Sequence, residues 1–110
     1  MEYMPGYQNL TVWKESLSLA KRIVMVADSF PRQHQYEVAS QMRRAAVSIM
    51  SNLAEGSRKG RKEEAQYVRI TLGSAAELES QIILCRELGF ANSEIWNELL
   101  RTIDRISRQL

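Results

Sequence analysis

The sequence predicts an all-α protein, an antiparallel up-down-up-down four-helix bundle, and three observations carry that prediction. Four segments repeat apolar residues at three- and four-residue spacing, the period of an α-helix. None of them alternates polar and apolar residues as a half-buried strand does. The connections Pro31 to His34, Gly56 to Arg61 and Gly89 to Asn92 are short, and short connections between long helices force neighbours in the chain to lie antiparallel.

The first helix is expected from about Leu10 to Ser29. Trp13, Leu17, Ala20, Val24 and Ala27 form one apolar stripe, and Leu19, Ile23, Val26 and Phe30 form a second beside it. Together they make a face wider than one neighbouring helix covers, which assigns Trp13, Leu19 and Ile23 to an interface between subunits. Pro31 ends the helix, because the residue before a proline is driven out of the helical region. The second helix is expected from about Gln35 to Glu55, with Val38, Met42, Ala45, Ile49 and Leu53 inward and Ala39, Ala46 and Met50 widening that face. Gly56 follows as a left-handed C-terminal cap.

The third helix, from about Lys62 to Leu88, is built on Val68, Leu72, Ala75 and Ile82 and on Leu78, Ile83 and Leu84, with Gly89 as its stop. Gly73 inside it costs roughly 1 kcal/mol relative to alanine and is expected at a close helix contact. The fourth begins at Asn92 or Ser93, either of which can cap it, with Glu94 in the first turn. Trp96, Leu99, Ile103, Ile106 and Leu110 carry its apolar repeat to the last residue.

A chain of 110 residues and 12.7 kDa fits one domain. Residues 1–9 are expected as an N-terminal tail and 10–110 as the bundle. The opening residues lack the cationic start and apolar centre of a secretion signal, and no apolar run approaches the roughly 20 residues of a membrane span. The expected location is the cytoplasm, without membrane insertion. A single cysteine, Cys85, fits a reducing compartment, and with His34 as the one histidine a zinc site is ruled out. No metal and no cofactor is expected.

The net charge is only +2, but it is unevenly placed. Between Arg43 and Arg69 stand seven cations against three anions, Glu55, Glu63 and Glu64, so that window is +4 and the remainder −2. Its densest part is Arg58, Lys59, Arg61 and Lys62. Arg58 and Lys59 follow a helix C-terminus, where the helix dipole favours cations. Arg61 and Lys62 stand at a helix N-terminus, where it does not, and Glu63 and Glu64 balance them. A local rule broken on an exposed loop marks the four as the candidate nucleic-acid contact. With no aromatic residue in the loop, binding is expected through RNA or DNA phosphates and without sequence preference.

A polar stripe, Gln41, Arg44, Ser48, Asn52 and Glu55, runs along one side of the second helix, and Ser74, Glu77 and Gln81 do the same on the third. Counting outward from a turn centred near Lys59 sets Arg44 level with Ser74 and Glu77, within reach of an Arg44 to Glu77 pair. The stripe is either a ligand or nucleic-acid surface or a hydrogen-bonded seam within or between subunits; the seam is favoured, because buried charges need partners. Catalysis finds little support. His34 lies in a loop, Glu77 and Glu79 point to different sides of a helix, and Cys85, with Arg86 as its one adjacent cation, reads as a core thiol. Trp13 and Trp96 read as anchors of the core or an interface.

Several of these residues also carry a family resemblance. They are the opening Leu10-Thr11-Val12-Trp13-Lys14, the Phe30-Pro31 stop and the block Gln41-x-Arg43-Arg44-Ala45-x-x-Ser48-Ile49-x-x-Asn52-x-Ala54-Glu55-Gly56, then Gly73-Ser74-x-x-Glu77-Leu78-Glu79 and Leu88-Gly89-Phe90. From about Leu10 to Leu110 the chain closely resembles the bacterial four-helix-bundle proteins encoded in intervening sequences of 23S ribosomal RNA genes. The resemblance implies a cyclic homopentamer with no established enzymatic activity. The accessory variability proteins of diversity-generating retroelements are similar at a greater distance. That likeness implies a basic pentamer that binds nucleic acid and a reverse transcriptase, although this chain lacks their strongly basic overall balance. The expected partners are therefore other copies of the chain, a nucleic-acid backbone, and a protein that processes RNA or reverse-transcribes it.

Overall fold

Four α-helices, α1 (Thr11–Asp28), α2 (Ser40–Gly56), α3 (Arg61–Glu87) and α4 (Ser93–Arg108), make up most of residues 5–110, the part that the computed structural model describes. No strand occurs among these residues. Each helix packs on its two neighbours, α1 on α2 and α4, and α3 on α2 and α4. The result is the antiparallel four-helix bundle the periodicity predicts. Inside the stretch read as a tail, Gly6–Asn9 forms a 3-10 turn against α1.

The core is made where the four apolar stripes meet. Leu19, Ile23, Met42, Ile49, Leu78, Ile82, Trp96, Leu99, Ile103 and Ile106 are all fully buried or nearly so. Trp13 is only 7% exposed and Leu19 and Ile23 are 0% exposed within the single chain, so the bundle itself buries the three residues expected at a subunit interface. The width of the α1 face has another cause: α1 lies between α2 and α4, which bury Trp13, Leu19, Ala20, Ile23 and Ala27 and leave Leu17, Val24 and Val26 half-buried. Its outward apolar residue is Met25, 71% exposed.

On α3 the buried face is Thr71, Ala75, Leu78, Ile82 and Cys85. Leu72, Ile83 and Leu84, expected inside, are exposed together with Ile70 and Leu88. The helical period explains the difference, because Leu72, Ile83 and Leu84 stand roughly 120–140° around the helix from Leu78. One helix cannot turn both sets toward the same core.

The helix ends follow local chemistry. The Gly89 φ of 79° is left-handed, Gly89 N donates to Arg86 O, and Phe90 N donates to Cys85 O at 3.1 Å, which is the Schellman pattern expected of that glycine. Asn92 Oδ1 accepts from Ile95 N at 2.9 Å and caps α4. The start of the second helix departs from expectation: Arg32–His34 is a 3-10 turn and Gln35–Ala39 a π-helical turn before α2 begins. Gln35 accounts for much of this. Its Nε2 donates to Ala27 O and Phe30 O, satisfying carbonyls at the end of α1, and its Oε1 accepts from Arg43 Nη2 at 2.6 Å. Arg43 Nη2 also pairs with Asp28 Oδ1 at 2.7 Å, so one clamp ties the end of α1 to α2. The same end of the bundle is closed by aromatic contacts among Phe30, His34, Phe90 and Trp96.

Candidate nucleic-acid interface

The opposite end of the bundle carries the basic loop. Beyond α2 the backbone stays tied to the last helical turn: Ser57 N donates to Leu53 O, Arg58 N to Glu55 O and Lys59 N to Gly56 O. Ser57 Oγ adds a bond to Ala54 O at 2.7 Å. Gly60 is extended, with φ −68° and ψ 167°, and its carbonyl accepts the first bond of α3 from Glu64 N. Arg58 and Lys59 therefore leave the end of α2, while Arg61 and Lys62 form the start of α3 beside Glu63 and Glu64.

Gly56 serves the loop differently from the expected left-handed cap. It is buried, belongs to α2 and has no positive φ. A Cβ placed on it would stand 2.9 Å from Tyr67 Cβ, so its lack of a side chain is what lets the end of α2 approach the start of α3. Gly73, by contrast, faces open space, with nothing within 4 Å of where a Cβ would stand, and makes no close helix contact.

Arg58, Lys59, Arg61 and Lys62 are all exposed, and none forms an ion pair among the described residues. The cations of the neighbouring α4 end are neutralised instead, Arg105 by Glu15 at 3.0 Å and Arg108 by Asp104 at 2.9 Å. The +4 window of the sequence is thus divided in space. Arg43 and Arg44 lie about 20 Å along α2 from the loop, at 1.5 Å per residue, and Arg43 is already paired. One aromatic residue does join the loop: the Arg58 guanidinium lies over the Tyr7 ring, 5.6 Å from its centroid. Tyr7 is distant in sequence, and only the antiparallel packing, which brings the start of α1 beside the end of α2, reveals it.

The polar stripes meet as the register predicts. Gln41, Arg44, Ser48, Ser74 and Glu77 line one shallow cleft of about 460 Å³ between α2 and α3. Its floor is a hydrogen bond between the Ser48 and Ser74 hydroxyls at 2.8 Å, and Asn52 Nδ2 donates to Ser48 O and Oγ. Gln81 Nε2 donates to Glu77 Oε1 at 3.2 Å. The expected Arg44 to Glu77 ion pair does not form: both side chains are exposed, and hydration competes with an attraction that water screens. Glu55 is exposed as well.

The two remaining chemical groups are structural. Cys85 is fully buried, its Sγ 3.6 Å from Met42 Sδ, and burial pushes its thiol up to about 11. That leaves almost no thiolate near neutrality. His34 packs on Phe90, with ring centroids 4.9 Å apart. Among the described residues no three of His, Cys, Asp and Glu gather where a metal ion could be held, and no helix is long and apolar enough to cross a membrane.

A comparison with curated proteins finds no match. The family model described as 23S rRNA-intervening sequence protein matches residues 8–110, which takes in all four helices, the basic loop and the polar cleft. On that match the chain belongs to the 23S rRNA-intervening sequence protein family.

Proposed function

We propose that this is a non-enzymatic cytoplasmic protein that binds nucleic-acid phosphates weakly and without sequence preference, through the Gly56 to Lys62 loop of a pentameric ring. The observation that carries the reading is the loop itself: four exposed cations held on a short, hydrogen-bonded connection, with no carboxylate paired to them among the described residues. Free cations in water are the groups that exchange counterions for phosphates. The exposed Ile70, Leu72, Ile83 and Leu84 on α3, with Leu88 just past its end, support self-association, since these large apolar side chains remain 39–54% exposed in the single chain. Five is the copy number that the family resemblance implies.

In a cyclic assembly every loop lies at the same end of the ring, so a modest local charge is presented five times over. Labelled RNA and DNA titrated over a range of salt test the reading. The affinity falls linearly with the logarithm of salt, and replacing Arg61 and Lys62 together by glutamine reduces that slope without lowering stability, since neither favours the helix dipole. Absence of binding by the wild type, or an unchanged slope in the variant, rejects it.

A second reading, a homo-oligomeric scaffold for a protein that processes RNA or reverse-transcribes it, is favoured by the small net charge of +2. Retention of one defined protein partner from nuclease-treated lysate supports the scaffold. Loss of every partner along with the nucleic acid removes it.

A further inference from the structure

The contact between Arg58 and Tyr7 deepens the reading of the loop. Tyr7 is half-buried in the Gly6–Asn9 turn, and its ring meets the buried Trp13 edge to face, at 5.1 Å and 63°. Arg58 lies over the same ring, 5.6 Å from its centroid, and has no carboxylate partner among the described residues. Trp13, Tyr7 and Arg58 thus make one tier of contacts, with the Tyr7 ring shared between the core and the loop. Beside Tyr7 and Arg58 opens a cleft of about 540 Å³ lined by Gly6, Tyr7, Leu10, Ser57 and Arg58.

We infer that this tier is a base-stacking platform, and that the nucleic acid bound at the loop is single-stranded. The inference rests on the phosphate-binding reading above. An arginine plane backed by an aromatic ring offers a flat, weakly hydrated surface on which an unpaired base stacks. Lys59, Arg61 and Lys62 on the adjoining turn then meet the neighbouring phosphates. The bases of a duplex are stacked on each other and show the platform no free face, so a duplex gains only the phosphate contacts. Every base has such a face, so stacking keeps the site indifferent to sequence.

The test compares a labelled oligouridine with an RNA duplex matched for phosphate number, at the same low salt. The wild type binds the single strand more tightly. Tyr7→Leu lowers oligouridine affinity about tenfold, the size of one lost base stack, and leaves duplex affinity and the salt slope unchanged. Tyr7→Phe keeps the wild-type preference. Arg58→Lys retains the charge but not the plane, and loses the preference. Equal binding of strand and duplex, untouched by Tyr7→Leu, overturns the platform while leaving the phosphate reading standing. Equal losses on strand and duplex in Tyr7→Leu also overturn it, because they make Tyr7 a support for the loop. Binding of neither ligand by the wild type overturns both.

Discussion

Alanine at Gly56 and alanine at Gly73 are the same substitution in two helices, and the structure predicts opposite outcomes. At Gly56 the added Cβ would stand 2.9 Å from Tyr67 Cβ and 3.5 Å from Tyr67 Cγ. Neither atom is the free end of a flexible side chain, since Cβ is fixed to the backbone of α3, so the helices themselves must separate. Overpacking of this kind costs about 1–3 kcal/mol, against which the better helix propensity of alanine contributes about 1 kcal/mol. The net expectation is a loss of about 1 kcal/mol. At Gly73 no atom lies within 4 Å and the residue is inside a 27-residue helix, so alanine there gains up to about 1 kcal/mol by propensity alone. Urea unfolding followed by circular dichroism separates the two variants by about 2 kcal/mol. Because Gly56 sets how closely α2 meets α3, its variant is also predicted to move the loop and, under the proposed function, to weaken nucleic-acid binding. A Gly56→Ala protein as stable as Gly73→Ala would refute the argument that close approach, rather than chain reversal, requires glycine there.

Three further outcomes follow from burial and capping. Trp13→Asp removes a side chain that is 7% exposed and puts an unpaired carboxylate in its place; a loss of about 3–5 kcal/mol or more leaves the chain largely unfolded by circular dichroism, whereas a folded variant that failed only to assemble would return Trp13 to a subunit interface. Cys85 does not react with a disulfide reagent at pH 8 in the native protein and reacts fully in denaturant. Its folded thiol sits at about 11 against an ordinary 9.0, so between those values the native chain keeps a proton the unfolded chain has lost; relative to Cys85→Ala, stability therefore falls as pH rises through that window and is unaffected below it. Asn92→Ala removes the cap on Ile95 N and costs about 1 kcal/mol in thermal unfolding.

Periodicity alone locates the helices because each has a core face with a regular repeat, and the ends of α1, α3 and α4 lie within about two residues of expectation, the usual play of a helix boundary. Gly89 is legible because a left-handed stop leaves a local sign, a glycine after a long apolar repeat followed by Phe90. Gly56 carries the same local sign for a different reason, a contact with Tyr67 that no reading of α2 by itself contains. The apolar residues of α3 mislead because they outnumber what one face can bury, and sequence does not say which stripe loses. On the loop, Arg58, Lys59, Arg61 and Lys62 are visible as a charge run. Tyr7 is not, since its place beside Arg58 depends on the antiparallel packing of the helix ends. Likewise the Ser48 to Ser74 bond can be placed by counting outward from the turn, but the absence of an Arg44 to Glu77 pair depends on exposure, which counting does not give.

In the proposed function, assembly turns four cations on one loop into a multivalent surface, so the mass of the protein in solution tests the account most directly. Light scattering at micromolar concentration is predicted to return about 64 kDa, five chains of 12.7 kDa in a closed ring. Glutamate at Leu72 and Ile83, both exposed on α3, is predicted to lower that mass while leaving the helical content intact. A wild type that scatters as a single 12.7 kDa chain would contradict the account.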